Sequence, residues 1–171
     1  MITLLVAFDE NRVIGNQGKI PWNIPEDFNL FREKTLGHSV IMGRKTWESL
    51  PKRPLPNRVN MILSSRFCLC PEEFVQTLNA PETNSPSHCV EKLENAIQFL
   101  ESICPEKQIF IIGGEQIYRA ALENGFVDKI IVSKIHGIHE GDAFFPEIED
   151  WDCEKVTKHD QFDVMEMKKC Y

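Results

Sequence analysis

The segment Ser39-Val-Ile-Met-Gly-Arg-Lys-Thr-Trp-Glu-Ser-Leu50 joins a short apolar run to a helical pattern through a single glycine. The run Val40 to Met42 is apolar at every position, which is typical of a strand buried on both faces of a parallel sheet. Parallel strands need crossover connections, and a helix that begins directly after Gly43 starts one. The segment therefore predicts an α/β fold.

Similar apolar runs lie on both sides of this segment, and helical patterns separate them. The runs are Ile2 to Phe8, Val59 to Leu63, Ile109 to Ile112 and Ile130 to Val132. Helices are predicted at Pro25 to Thr35, just after Gly43, at Lys92 to Ile103 and at Glu115 to Leu122. This alternation predicts a mostly parallel sheet flanked by helices. The last stretch, Trp151 to Tyr171, has the alternating pattern of an antiparallel hairpin that closes the sheet.

The composition predicts a single domain over residues 1–171. The chain has 171 residues, of which 42% are hydrophobic, enough for one core. A formal charge of −7 argues against binding to nucleic acid or to an acidic membrane. The apolar N-terminus lacks a basic leader and reaches Asp9 too soon for a signal peptide or a membrane span. Six cysteines without CxxC spacing favour reduced thiols and a cytoplasmic location.

The stretch between Arg66 and His88 is long for a loop inside a compact domain. Cys68, Cys70, His88 and Cys89 could in principle supply four zinc ligands. Their CxC and adjacent His-Cys spacings are poor for a structural zinc site. Ordinary loop residues are the better interpretation, and no metal is predicted.

Asp27 is a carboxylate that faces the predicted core. On a helical wheel it falls on one continuous arc with four apolar residues, Ile24, Phe28, Leu30 and Phe31. Burial raises the pKa of a carboxylic acid, which suits such a group to proton transfer. The alternative is that Asp27 accepts a hydrogen bond from a backbone amide at the helix start. The helix alone does not decide between these two roles.

Two strand-to-helix junctions are candidate phosphate sites. At the first, Gly43 to Thr46, free amides at a helix N-terminus are joined by the guanidinium fork of Arg44. At the second, Ile109-Phe-Ile-Ile-Gly-Gly-Glu-Gln-Ile-Tyr118, the glycines at 113 and 114 would let a ligand approach the backbone closely. Solvated surface charges and ordinary turn glycines are the alternatives. Two such junctions in one chain favour a phosphate-bearing ligand.

Together these segments resemble the dihydrofolate reductase family over nearly the whole chain. The matching pieces are Ala7, Val13-Ile-Gly15, PWNIPEDF (21–28), VIMGRKTWESL (40–50), RPLPNR (53–58), ILSS (62–65) and IIGGEQIY (111–118). The resemblance implies an eight-stranded sheet with about four helices. It also implies an oxidoreductase acting on a CH–NH group, which reduces dihydrofolate to tetrahydrofolate with NADPH. Such enzymes supply one-carbon carriers for thymidylate, purine and amino-acid synthesis, and antifolates such as methotrexate and trimethoprim bind them.

The resemblance also implies a substrate site. Asp27 would bind the pterin's amino group and ring nitrogen and support protonation of N5 while hydride arrives at C6. Ser133 stands where the family usually has a threonine bonded to that acid, and this bond is expected to survive. Arg58 would hold the α-carboxylate of the substrate's glutamate. The other implied catalytic-site residues are Ile20, Trp22 and Tyr118. The implied apolar walls, each equally acceptable as core, are Leu5, Ala7, Phe28, Phe31, Leu50, Leu55 and Ile112.

The resemblance also implies a cofactor-binding site that spans both strand-to-helix junctions. Arg44, Ser65 and Arg66 favour NADPH over NADH, because the additional 2′-phosphate is a dianion that cationic forks bind well. The implied cofactor residues are Ala7, Ile14, Gly15, Gly43, Arg44, Lys45, Thr46, Leu63, Ser64, Ser65, Arg66, Ile112, Gly113, Gly114, Glu115, Gln116, Ile117 and Tyr118.

A mobile lid is implied at Glu10 to Ile24, with Ile20 over the nicotinamide. Glu140-Gly-Asp142 resembles the family's partner loop, whose acidic residue hydrogen-bonds the closed lid. A plain turn is the alternative for this loop.

Two other functions fit part of the sequence: a pyrimidine reductase of riboflavin synthesis, and a noncatalytic NADP-binding module. The first would not be expected to keep PWNIPEDF together with Arg58. The second has no reason to hold a carboxylate, Asp27, in an apolar stripe. A cytoplasmic monomer without nucleic-acid or membrane partners is expected.

Overall fold

The computed structural model describes residues 1–65 and 87–170. The strands are β1 (Ile2–Phe8), β2 (Val13–Gly15), β3 (Ser39–Gly43), β4 (Val59–Leu63), β5 (Ser87–Val90), β6 (Ile109–Ile111), β7 (Lys129–Ile135), β8 (Ala143–Phe144), β9 (Trp151–Lys158) and β10 (Phe162–Lys169). The described helices are α1 (Pro25–Thr35), α2 (Arg44–Ser49), α3 (Leu93–Ile103) and α4 (Glu115–Glu123).

Eight of these strands form one sheet in the order β5-β4-β3-β6-β1-β7-β10-β9. The six strands from β5 to β7 are parallel. The hairpin of β9 and β10 runs antiparallel and adds to β7 at one edge. The predicted α/β class, the mostly parallel sheet and the closing hairpin are therefore confirmed.

Side chains alternate between the two faces of the central strand β1. Leu4 and Val6 pack in a cluster that contains the buried faces of α3 and α4. Leu5 packs on the opposite face, in a cluster that includes Ile24 and, partly buried, Phe31. Because strand side chains alternate with a period of two, each face takes its own layer of helices. Helix α1 therefore packs against the face of the sheet that carries Leu5.

The positions of the helices agree with local features of the sequence. Pro25 occupies the first turn of α1, as its fixed φ allows. Helix α3 buries Leu93, Ala96, Ile97 and Leu100, which lie on one face of the helix. None of the described helices has the length and apolar character needed to cross a bilayer.

Three of the described strands were not predicted. β5 has the polar sequence Ser-His-Cys-Val, which carries no apolar run. β2 and β8 have three and two residues and form a separate two-stranded sheet, pairing Val13 with Phe144 across a long sequence separation. Residues 66–86 of the loop predicted from Arg66 to His88 lie outside the described residues. Cys68 and Cys70 belong to this part.

The carboxyl ends of β1, β3, β6 and β7 lie at one edge of the sheet, because these strands are parallel neighbours. Ligands in open α/β sheets bind at this edge, where the strand order reverses. Here the chain runs outward from β3 to β5 and then returns to insert β6 between β3 and β1.

Candidate active site

Asp27 lies in the first turn of α1 and is only 7% exposed. Burial raises the pKa of its carboxyl, and a hydrogen bond from the Ser133 hydroxyl acts in the opposite direction. Ser133 reaches it from β7, where it pairs with Ala7 of β1. Among the described residues, Ser133 is the polar side chain that acts on the pKa of this carboxyl. Ser133 is thus beside Asp27 as expected, and no backbone amide among the described residues acts on the Asp27 carboxyl as the capping alternative would require.

An apolar cluster surrounds this face of the sheet. It contains Leu5 and Ile112, with Ala7, Phe31, Leu50 and Leu55 packed partly buried against it. The structure thus brings together six of the predicted wall residues. Phe28, the seventh, is 40% exposed. It stands at the end of the apolar arc on the helical wheel, so the expectation that the whole arc faces the core was wrong at this position.

Trp22 is buried in the same cluster. Its indole N–H is enclosed and has no hydrogen-bond partner among the described residues. A buried donor without a partner is unfavourable, so Trp22 offers this face an unused N–H group. Ile20, two residues earlier in the predicted lid, is 52% exposed.

Arg58 is 4% exposed, and its hydrogen bonds to described residues all go to neutral oxygens. Its Nε donates to the Thr35 hydroxyl at 2.7 Å, Nη1 to the Pro56 carbonyl at 2.9 Å, and Nη2 to the Arg32 carbonyl at 3.4 Å. A guanidinium has five N–H groups, so one remains on each terminal nitrogen. That pair matches the two oxygens of a carboxylate.

Burial lowers the pKa of Arg58, with repulsion from Arg32 adding to the effect, yet a guanidinium stays charged in proteins. Thr35, which sequence reasoning missed, is the residue that orients it. The Thr35 hydroxyl donates to the Phe31 carbonyl at 2.8 Å and accepts the Arg58 Nε–H. The signal available in the sequence was the threonine itself, because a threonine in a helix can hydrogen-bond the carbonyl four residues earlier.

The two strand-to-helix junctions meet. Gly43 N–H donates to the Gly113 carbonyl at 2.7 Å, and the peptide between Gly113 and Gly114 is cis. A Cβ on Gly43 would lie 3.2 Å from Ile117 Cγ1, and one on Gly114 would lie 3.3 Å from the Thr46 hydroxyl. Gly113 has φ +123°, and its Cβ would lie 3.2 Å from the Tyr118 hydroxyl. The glycines therefore keep a narrow cradle that fits the close approach of a phosphate chain.

Tyr118 is buried beside this cradle. Its hydroxyl donates to the Leu5 carbonyl at 2.9 Å, and burial raises its pKa far above the usual value. The phenol therefore stays protonated, with its proton committed to the main chain of β1. This arrangement suits a wall and a support better than an acid.

The remaining predicted cofactor residues lie around the cradle with differing exposure. Arg44 forms an exposed ion pair with Glu48 at 3.2 Å, and Lys45 is exposed. Leu63 ends β4, and the following Ser64 N–H donates to the Val90 carbonyl at 2.9 Å. Ser65 is exposed. Gln116 is exposed and Ile117 half-buried on α4. Arg66 lies outside the described residues.

The predicted lid is joined to its partner loop. Gln17 N–H donates to both carboxylate oxygens of Asp142, at 3.1 and 3.2 Å, and Asp142 N–H donates to the Gly15 carbonyl at 3.0 Å. Ile14 and Gly15 belong to β2, which pairs with β8. Glu115, at the start of α4, accepts the Phe144 N–H at 3.1 Å and ties β8 to the cradle. The expected contact between the acidic residue and the lid is present.

Comparisons with known proteins agree with this geometry. The family described as Dihydrofolate reductase matches residues 1–170. A dihydrofolate reductase of Neisseria gonorrhoeae is 39% identical over 149 residues, covering 86% of this chain and 80% of the relative. That of Bacillus subtilis is 37% identical over 152 residues, covering 88% and 78%. Dihydrofolate reductase HdrB of Haloferax volcanii is 34% identical over 166 residues, covering 94% and 76%.

Proposed function

Because the chain belongs to the dihydrofolate reductase family, we propose that it reduces dihydrofolate to tetrahydrofolate with NADPH as the hydride donor. The observation that carries the proposal is Asp27, a buried carboxyl on the face formed by β1, β7 and α1. A buried acid with a raised pKa is suited to holding a proton near a reacting group.

The reduction adds hydride to C6 and a proton to N5 of the pterin, converting one C=N bond to CH–NH. Asp27 binds the pterin's amino group and ring nitrogen and supports protonation of N5. Ser133 holds the carboxyl in place through its hydroxyl. Trp22 and Ile20 complete the catalytic face, and Tyr118 supports it from the side of β1. Exclusion of water by the lid strengthens these polar contacts.

Substrate binding is divided between apolar walls and one cation. The pterin and benzoyl rings contact the partly buried cluster on the Leu5 face. Arg58, with one N–H remaining on each terminal nitrogen, binds the α-carboxylate of the glutamate. Asp27 and Arg58 thus fix the two ends of the substrate.

NADPH, when bound, supplies the hydride. The cradle of Gly43, Gly113 and Gly114 holds the phosphates close to the backbone. Arg44, Ser65 and Arg66 give the preference for NADPH over NADH through the 2′-phosphate. The lid residues Ile14 and Gly15 would contribute to the cofactor site, and Ile20 would lie over the nicotinamide. The protein acts as a monomer in the cytoplasm, and it binds antifolates such as methotrexate and trimethoprim.

The test is the loss of NADPH absorbance when purified protein is mixed with dihydrofolate, repeated with NADH and with methotrexate. We expect turnover that prefers NADPH and that methotrexate blocks. NADPH binding without turnover would contradict the proposal and favour a noncatalytic binding module. Turnover of the riboflavin-pathway pyrimidine in place of dihydrofolate would favour the other reductase.

A further inference from the structure

Asp9, directly after β1, has a completely buried carboxylate that the proposed reaction does not use. Its Oδ1 accepts the backbone N–H groups of Asn11 and Val13, each at 2.9 Å. Its Oδ2 accepts the backbone N–H of His139 at 2.6 Å and lies 3.3 Å from Nδ1 of the same residue. One oxygen therefore holds the beginning of the lid, and the other holds the segment that leads to Asp142.

The group is ionised in spite of its burial. Burial alone would raise the pKa of Asp9, but hydrogen bonds from the backbone of Val13, His139 and Asn11, with one from the His139 side chain, outweigh it and lower the pKa. Hydrogen bonds to an ionised acceptor are among the strongest in proteins. Asp9 is thus a rigid joint between two segments that are far apart in the sequence.

His139 continues the connection to the candidate active site. Its ring contacts Trp22 edge-on, with 5.2 Å between ring centroids and 64° between the planes. Trp22 is buried in the cluster on the Leu5 face, and its indole N–H is unused by the described residues. Displacement of His139 would therefore change where this indole lies.

We propose that Asp9 is a positioning residue for the reduction, which holds the start of the lid and His139 so that the His139 ring fixes Trp22. The proposal rests on the proposed function of the chain. Asp9 itself contacts none of the side chains assigned to substrate or cofactor binding in the described hydrogen bonds, so it acts only through His139 and the lid.

The two carboxylate oxygens allow the two halves of this joint to be separated. Asp9→Asn keeps an oxygen for Asn11 and Val13, but its amide nitrogen cannot accept the His139 N–H. His139→Ala keeps the main-chain bond and removes the ring, whereas His139→Phe keeps a ring against Trp22. Glu154→Gln is the control, because Glu154 is exposed and pairs with Lys168 on the hairpin of β9 and β10, outside the lid and its partner loop.

The experiment records the Trp22 indole N–H resonance together with kcat and KM for both substrates. We expect Asp9→Asn and His139→Ala to shift this resonance and to lower kcat by about tenfold, because a misplaced group near the reacting atoms slows the reaction. KM for NADPH should stay within about twofold, since the glycine cradle is not touched. His139→Phe should restore most of kcat, and Glu154→Gln should match the wild type.

An active wild-type protein whose Asp9→Asn variant has an unmoved indole resonance and unchanged kcat would overturn the inference. If Asp9→Asn does not fold, the two His139 variants decide, and equal behaviour of Ala and Phe would overturn it. A wild-type protein without turnover would instead overturn the proposed function. The two failures are therefore distinguishable.

Discussion

Asp27 makes the folded protein less stable when it is ionised. Below the ordinary aspartate pKa of 3.8 the side chain is protonated in both the folded and the unfolded chain. As pH rises from there to the raised pKa of the folded state, the unfolded chain releases the proton first, so the free energy of unfolding falls. We expect Asp27→Asn to be more stable than the wild type at neutral pH, with the difference vanishing as pH falls toward 3.8.

Urea unfolding of both proteins across this pH range measures the effect. Glu33→Gln is the control, because Glu33 is an exposed acid on the same helix. A wild-type protein that is more stable than Asp27→Asn at neutral pH would contradict the account of burial.

Arg58 carries a second prediction at this scale. Arg58→Lys replaces a fork by a single ammonium, so KM for dihydrofolate should rise by about ten- to a hundredfold, as expected for a lost charged hydrogen bond. A dihydropteroate substrate, which lacks the glutamate, should be little affected. Arg53→Lys is the control, since Arg53 lies exposed in the same loop. An equal rise in KM for both substrates would show that Arg58 does not bind the glutamate.

Single residues were predictable where a local pattern exposed them. Asp27 was placed in the core by the helical wheel, and its partner Ser133 came from the family resemblance. Asp9 was missed because its partners are backbone N–H groups at positions 11, 13 and 139, which no side-chain pattern reveals. The remaining clue was an acid directly after a buried strand.

At the scale of elements, β2 and the loop before β8 pack without spare room. A Cβ on Gly141 would lie 2.2 Å from Val13 Cγ1 and 2.7 Å from the Gly15 carbonyl, a backbone atom that cannot easily move. Gly141→Ala should therefore separate the lid from its partner loop. Faster hydrogen exchange of the Gln17 amide and a kcat lower by about tenfold are expected, because lid closure precedes turnover.

Glu140→Ala is the neighbouring control, because Glu140 is exposed. Unchanged exchange at Gln17 in Gly141→Ala would show that the lid does not depend on this packing.

Elements with strong apolar periods were predicted nearly to their ends, as β1 at Ile2–Phe8 and α1 at Pro25–Thr35 show. β7 was predicted only at 130 to 132, whereas it runs from Lys129 to Ile135, because Ser133 and Lys134 interrupt the apolar run. β2 and β8 escaped prediction because pairing between distant segments, and not local preference, makes them strands.

At the scale of the whole molecule, binding of NADPH to the folded chain alone should stabilise it. At a concentration about a hundred times Kd the gain is roughly 2.7 kcal/mol, which raises Tm by about 5–10 °C for a chain of this size. NADH at the same concentration should raise Tm less, because it lacks the 2′-phosphate. Equal shifts in a thermal melt would remove Arg44, Ser65 and Arg66 from cofactor selection.

The central claim is that Asp27 supports protonation of the pterin during hydride transfer, and single-turnover rates across pH test it most directly. Asp27→Asn should bind NADPH like the wild type and transfer hydride about 10²- to 10⁴-fold more slowly at neutral pH, the usual contribution of a general acid. Its rate should recover partly at low pH, where the substrate is protonated beforehand. A variant whose rate equals that of the wild type at every pH would contradict the claim.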